Sequence, residues 1–420
     1  MVTKYIQHNG LRVILEPVDS AASISAGLWI NRGSRHERPE EYGYAHFVEH
    51  MLFKGTEKYS ARELARIVDR VGGQHNAATN REYTCYYINV ISDHIELAVE
   101  ILADMYYHPL FDKDELEKEK NVILEEIMMY EDTPDELVHD LFIESMMKGH
   151  PLSHSILGTT STIQEATSES LRNFYSSNYC DGNAIFVVSG KFDEQAVMDL
   201  VRRYFSRENS GSVSENLSEA ASPSRISRNH ADRDLEQMHF CMGAEGLKRN
   251  DPDRWSLYIL STILGGSMSS RLFQKVREER GLCYSIYSFH SSFSDHGVFG
   301  IYCATANNNF RTALDLIMEE CRSLSRKGIT AEELQDAKTF MKGNLALNME
   351  SIEVRMGQLA KNEITFGRHF TFSEIRDQID RVTMEDFMNL VSRLFDKKRL
   401  SLISVGKMSP DPGDSPDLDV

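Results

Sequence analysis

The chain has 420 residues, more than one core usually serves, so two domains of about 200 residues are expected. Apolar residues make up 41% and charged residues 26%, and no apolar run approaches the roughly 18 residues of a membrane-crossing helix, which excludes a helical membrane protein. With 64 acidic against 46 basic side chains the net charge is −18, which disfavours nucleic acid and anionic membrane as partners and can attract a basic peptide, although solubility is the plainer reading of such a surface. The six cysteines are scattered without a Cys-x-x-Cys unit, so a thiolate metal site or a disulfide framework is not expected. The opening residues lack the apolar run of a secretory signal. They suit a bacterial cytoplasm, with the mitochondrial matrix as the alternative if a leader was removed.

In chain order, Asn9-Gly10 reads as the turn of a hairpin joining Tyr5–His8 to Leu11–Leu15, and Ala22–Asn31 follows as a strand. A helix carrying His46 and His50 comes next. Ser60–Val71 is an amphipathic helix closed by Gly72-Gly73, Arg81–Val90 is a strand, and His94–Met105 is a helix ended before Pro109. A long helix begins near Asp112, with Asp112 or Asp114 as its cap, and runs through Ile127. The polar, Ser-rich seam from Ser206 to Asp234 reads as a linker. Beyond it helices are expected over 253–264, 270–280, 310–327, 332–349 and 383–395. The expected fold is α+β: two homologous α/β domains, each a mixed or antiparallel sheet flanked by helices. The boundaries drawn are 1–212 for the first domain, 213–230 for the linker, 231–408 for the second domain and 409–420 for an acidic tail. Neither Gly72-Gly73 nor the 265–270 stretch has the spacing of a phosphate-binding loop.

Residues 46–50 read His-Phe-Val-Glu-His. On a helix His46 and His50 share one face and both imidazoles can reach one metal ion. Glu49, one residue before His50, can approach a water there without ligating. The pattern points to metal-assisted hydrolysis. A third ligand is needed, and the acidic helix offers Glu115, Glu117, Glu119, Glu125 and Glu126, of which Glu115 and Glu117 read better as a solvated face. Glu119 and Glu126 are seven apart and face one way, with Glu125 rotated by about 100° from Glu126, and spacing alone does not choose between them.

The motifs NRGSRHE at 31–37, HFVEHMLFKGT at 46–56, GGQHNAATNREYT at 72–84, VILEE at 122–126 and SSRLFQKVREERGLCYS at 269–285 resemble the pitrilysin-type (M16) metallopeptidases with an inverted zinc motif. The resemblance is to the branch of mitochondrial processing peptidase and its bacterial relatives, and covers all but the linker and the tail. It implies one Zn²⁺ per chain held by His46, His50 and Glu126, with Glu49 as catalytic base and Glu119 supporting the metal site from behind its ligands. It further implies Phe53 at the pocket for the residue after the cut, and Asn76-Ala77 leading into an edge strand that pairs with extended peptide. Glu136 and Asp140 would hold an arginine two residues before the cut, and Arg277 and Tyr284 would reach the peptide, with Tyr287 as a competitor for the last role. The implied activity is a zinc metalloendopeptidase acting on peptides or unfolded segments, with a preference for Arg or Lys near the scissile bond. In the family the working unit resembles a clam-shell of four domains. A two-domain chain is half of one, so a homodimer is expected, with an unequal partner chain as the alternative. A different class of reading is a non-catalytic structural or assembly subunit of a processing-peptidase-like complex.

Overall fold

The computed structural model describes residues 2–7, 9–207, 209, 226–395 and 400–407. They form two compact units, the first built from stretches within 1–128, 154–218 and 347–369, the second from stretches within 129–153, 219–346 and 370–420. The acidic tail and most of the expected linker lie outside the described residues.

The first unit carries a six-stranded sheet of β1 (Thr3–Ile6), β2 (Arg12–Pro17), β3 (Ser23–Ile30), β4 (Gln74–Thr79), β5 (Thr84–Ile91) and β6 (Ala184–Gly190), in the order β1-β2-β6-β3-β5-β4. Only β2 and β6 run parallel. The second unit carries β7 (Arg228–Asp232), β8 (Gln237–Glu245), β9 (Cys283–Ser292), β10 (Gly297–Ala306) and β11 (Ser401–Gly406), in the order β7-β11-β8-β10-β9 with only β7 and β11 parallel. Strand for strand, β2-β6-β3-β5-β4 and β7-β11-β8-β10-β9 are the same topology, so the two sheets are a structural repeat and both are mixed, as expected. Central strands β3 and β6 read as near-continuous apolar runs because both faces are covered. Edge strand β4, QHNAAT, alternates exposed and half-buried residues.

The helices are α1 (Tyr44–Leu52), α2 (Ala61–Arg70), α3 (Ile95–Tyr107), α4 (Lys113–Glu131), α5 (Pro134–Met146), α6 (Thr160–Glu165), α7 (Ser168–Asn178), α8 (Glu194–Tyr204), α9 (Arg254–Gly265), α10 (Phe310–Lys327), α11 (Ala331–Asn348), α12 (Ile352–Phe366), α13 (Phe372–Arg381) and α14 (Met384–Leu394). Local signals explain many ends. Ser60 and Glu63 close a capping box on α2, and Asp112 Oδ1 accepts from the amides of Asp114 and Glu115 at 2.9 and 3.0 Å, which selects Asp112 as the cap of α4. The helix expected over 270–280 is instead wound into wide π-type turns over Phe273–Glu278, with Glu279 N donating to Gln274 O. Phe47, Val48 and Met51 of α1 pack with Tyr86, Tyr106 and Phe186 in the first core; Phe240, Leu260, Phe299, Ile317 and Phe387 build the second.

Two expectations need correction. The domain boundary expected at 212 follows the chain, but the compact units cross it. Helix α5 precedes the seam yet buries Val138, Phe142 and Met146 against Cys241, Tyr302, Ile403 and Val405 of the second sheet. Helix α12 follows it yet buries Met356, Leu359 and Ala360 against Ile14, Trp29, Ile185 and Val187 of the first. Arg355 of α12 also forks onto Glu16 of β2, at 2.7 and 3.0 Å. Each helix goes where its apolar stripe is buried, and sequence proximity does not decide that. The second correction concerns Arg228–Asp232, which was read within the linker and is strand β7. As an outermost strand it needs only backbone pairing with β11, so its exposed polar side chains carry no alternating apolar signal.

Candidate metal centre

Helix α1 starts at Gly43, which has no side chain to cap it. Glu37, six residues earlier, supplies the cap. Its Oε2 accepts from Gly43 N at 2.9 Å and its Oε1 from Ala45 N at 2.7 Å, so a buried carboxylate sits on the positive end of the helix. His154 Nε2 lies 2.8 Å from Ser34 O and 3.2 Å from Glu37 Oε2, both acceptors, so this nitrogen carries a proton. Burial pushes the Glu37 carboxyl above the usual range, opposed by the His154 hydrogen bond. The signal for this role in the sequence is an acid shortly before a helix start that has no capping side chain of its own.

One turn into α1, His46 and His50 converge, with their Nε2 atoms 3.2 Å apart, and each Nε2 lies 3.7 Å from Glu126 Oε2 on α4. A tetrahedral site with bonds of about 2.0–2.1 Å has donor atoms roughly 3.3 Å apart. The three donors therefore fit a zinc ion by spacing and by type. Burial, followed by the neighbouring His50, lowers His46 to about 3, which keeps this imidazole neutral and able to ligate. Burial raises Glu126. His50 Nδ1 donates to Glu119 Oε1 at 2.8 Å, which fixes the proton on Nδ1 and turns the Nε2 lone pair toward His46 and Glu126.

Glu119 is nearly enclosed, and its second oxygen takes Lys54 Nζ at 2.5 Å. Burial would raise its proton affinity, but the hydrogen bonds from His50 and Lys54 outweigh it and hold the carboxyl below the usual range. With both oxygens occupied, Glu119 orients a histidine while Glu126 faces the donor cluster, and Glu125 is exposed. Lys54 was missed from sequence, although His46, His50 and Lys54 follow one another at four-residue steps. Glu49, on the same helix, accepts from Thr79 Oγ1 of β4 at 2.5 Å. Burial raises the Glu49 carboxyl, and the Thr79 hydrogen bond opposes that.

The Phe53 ring lies 5.4 Å from His75 and 6.2 Å from Tyr86, in a recess also lined by Leu64 and Met105. Asn76 and Ala77 lie on β4, and the Asn76 Oδ1 accepts from Ala77 N at 2.8 Å. Within the described residues β4 pairs only with β5, leaving its other edge open. The remaining expected residues belong to the second unit. Glu136 and Asp140 lie one turn apart on α5, with Glu136 exposed. The Arg277 guanidinium lies over the rings of Phe273 and Tyr284, at 4.5 and 4.8 Å, and Tyr284 is 79% exposed. Tyr287 is instead bound to its own unit, with its hydroxyl 2.9 Å from His139 Nε2 and its ring stacked on that imidazole.

The second unit has another His/Asp group, His150, Asp295 and His296, whose donor atoms also lie within 4.8 Å of one another. Here Leu152 N donates to His150 Nδ1 at 3.1 Å. That leaves the ring proton on Nε2, which stands 3.4 Å from Asp295 Oδ2, and a protonated nitrogen is not a ligand. This group is a staple between the 150 loop and the β9–β10 turn, with the neutral His150 ring facing the Asp295 carboxylate. No helix among the described residues is long and apolar enough to cross a membrane.

Comparison with known proteins gives a consistent picture. Residues 12–160 match the family described as insulinase (peptidase family M16), and residues 165–341 match the one described as peptidase M16 inactive domain. A Bacillus subtilis protein described as the uncharacterized zinc protease YmxG is 42% identical over 405 residues, covering 96% of this chain and 98% of its own. An uncharacterized zinc protease of Streptomyces coelicolor is 36% identical over 408 residues, covering 95% and 88%. Among solved structures, a protease from Helicobacter pylori superposes with a TM-score of 0.88 at 23% identity, over 96% of this chain and 99% of that one. A Pseudomonas fluorescens structure described as a peptidase M16 inactive domain gives 0.89 at 21%, over 97% and 98%. These two superpositions establish likeness of fold.

Proposed function

Because the chain belongs to peptidase family M16, we propose that it is a zinc-dependent endopeptidase cutting peptides or unfolded segments, with one zinc ion per chain held by His46, His50 and Glu126. The observation that carries this reading is the convergence of two imidazole Nε2 atoms and one carboxylate oxygen, with His50 turned by Glu119. When bound, zinc supplies the Lewis acidity that polarises a scissile carbonyl and acidifies water. Glu49, half-buried beside the ligands and raised in proton affinity, takes a proton from the attacking water and delivers it to the departing amine. The open edge of β4 pairs with extended peptide, and Asn76 and Ala77 supply its backbone partners. Phe53 and its recess receive the side chain after the cut. The carboxylates of Glu136 and Asp140 favour an arginine or lysine before it.

Arg277 and Tyr284 bind the peptide backbone, with Tyr284 donating to the developing oxyanion. Two copies of the chain form the working enzyme, since each carries both the metal ligands and the Arg277–Tyr284 pair. The other reading, a non-catalytic subunit, draws on the match of residues 165–341 to a domain described as inactive. That stretch contains none of His46, Glu49, His50, Glu119 or Glu126.

The test is cleavage of a mixed peptide library by zinc-loaded protein beside Glu49→Gln with matched zinc content. Turnover is expected to fall by about 10²–10⁴ in the variant with zinc retained, and Arg or Lys should be enriched two residues before the cuts. No cleavage by the wild-type dimer would move the reading to the non-catalytic subunit.

A further inference from the structure

Glu49 has to present one carboxylate oxygen to water, and a free side chain with three rotatable bonds does not do so unaided. What holds it comes from another element. Along β4 the residues His75, Ala77 and Thr79 lie on one face, while Gln74, Asn76 and Ala78 are exposed. That face runs along α1, where His75 meets Phe53 and Thr79 meets Glu49. The Thr79 hydroxyl donates to Oε2 at 2.5 Å and leaves Oε1 for proton transfer.

Both ends of this contact are fixed by one segment, residues 33–37. Gly33 approaches the turn after Thr79 so closely that a Cβ there would lie 2.0 Å from Asn80 O and 2.7 Å from Tyr83 N. Ser34 N donates to Asn80 O at 3.2 Å and Arg35 N to Arg81 O at 2.9 Å, and the buried Arg35 guanidinium pairs with buried Glu82 at 2.7 Å. Two residues on, Glu37 caps α1. The same five residues thus bracket the strand end carrying Thr79 and the helix carrying Glu49. Among the described residues the outer edge of β4 stays unpaired.

We propose that Thr79 is a positioning residue for the general base: its hydroxyl, held at the bracketed end of the peptide-binding strand, sets the Glu49 carboxylate for proton transfer. This rests on the peptidase reading above. The preorganised donor acts on kcat, because it neither touches the metal ligands nor alters the exposed edge that binds peptide.

The experiment compares zinc-loaded wild type, Thr79→Val, Thr79→Ala and Thr79→Ser on one peptide that the wild type cuts, with Glu49→Gln as the inactive reference. Zinc affinity by chelator competition and thermal unfolding are measured alongside. Thr79→Val and Thr79→Ala should lower kcat by roughly 10–100-fold, with KM and the zinc dissociation constant within about twofold. Thr79→Ser should recover most of kcat, because it restores the donor. Unchanged kcat in both hydroxyl-deleted variants, a loss confined to KM or zinc affinity, or a serine variant no better than alanine would overturn the assignment. A folded, zinc-bound wild type that cuts nothing would sink the peptidase reading and this inference with it. Cleavage by wild type with kcat preserved in Thr79→Val and Thr79→Ala would sink the inference alone. If Val unfolds the strand, the Ala and Ser pair decides on the same criteria.

Discussion

Two groups of histidines and a carboxylate sit in this molecule at similar spacing, and they differ in one proton. In the first unit His50 Nδ1 faces a carboxylate, so it donates and frees Nε2 as a lone pair aimed at His46 and Glu126. In the second unit His150 Nδ1 faces a backbone amide, so it accepts, and Nε2 points a proton at Asp295. The neighbour on the far side of the ring, not the cluster itself, leaves one arrangement able to ligate a metal and makes the other a staple. Distance between donor atoms does not reveal this.

The largest effect that can break the comparison is loss of a ligand. His50→Ala should abolish stoichiometric zinc and turnover together. His150→Ala should leave one zinc per chain while lowering Tm, since the ring is buried and its loss leaves a cavity. Metal analysis of the purified variants checks both, and a second zinc equivalent lost with His150 would reverse the assignment. An intermediate effect separates the two supporting carboxylates. Glu119→Gln should weaken zinc binding by about 10–100-fold, read by chelator competition, whereas Asp295→Asn should leave it unchanged.

The smallest effect concerns a third histidine that belongs to neither group. Burial, followed by the nearby Arg32, lowers His36 to about 4. Its folded value is below the unfolded one, so its contribution to stability is full above about pH 6.5 and is lost as pH falls toward 4. Relative to wild type, His36→Gln should flatten the fall of Tm between those values by a few degrees, measured by thermal unfolding across pH.

Much of the candidate metal centre was legible in the linear chain because its parts obey helical spacing. His46, Glu49 and His50 share a turn, and Glu119 and Glu126 are two turns apart, so each set is local. The resemblance points to Glu126 among five acids of the helix, and the fold agrees in that Lys54 and His50 occupy both oxygens of Glu119. Strands β3 and β5 and helices α2, α3 and α10 were likewise readable, since burial on one face or both leaves a periodic or apolar trace.

What only the tertiary structure decided are the partnerships between distant segments. The chain's own pattern set which stretches are amphipathic and where the helix carrying His46 and His50 lies. It did not say that α5 would cover the second sheet and α12 the first, because an apolar stripe names no partner. Strand β7 left no pattern, since backbone hydrogen bonds ask nothing of its side chains. Glu37 on the end of α1, Thr79 on Glu49 and Leu152 on His150 are likewise contacts of one or two hydrogen bonds. Their directions depend on where the folded backbone places donor and acceptor, and no periodicity encodes that.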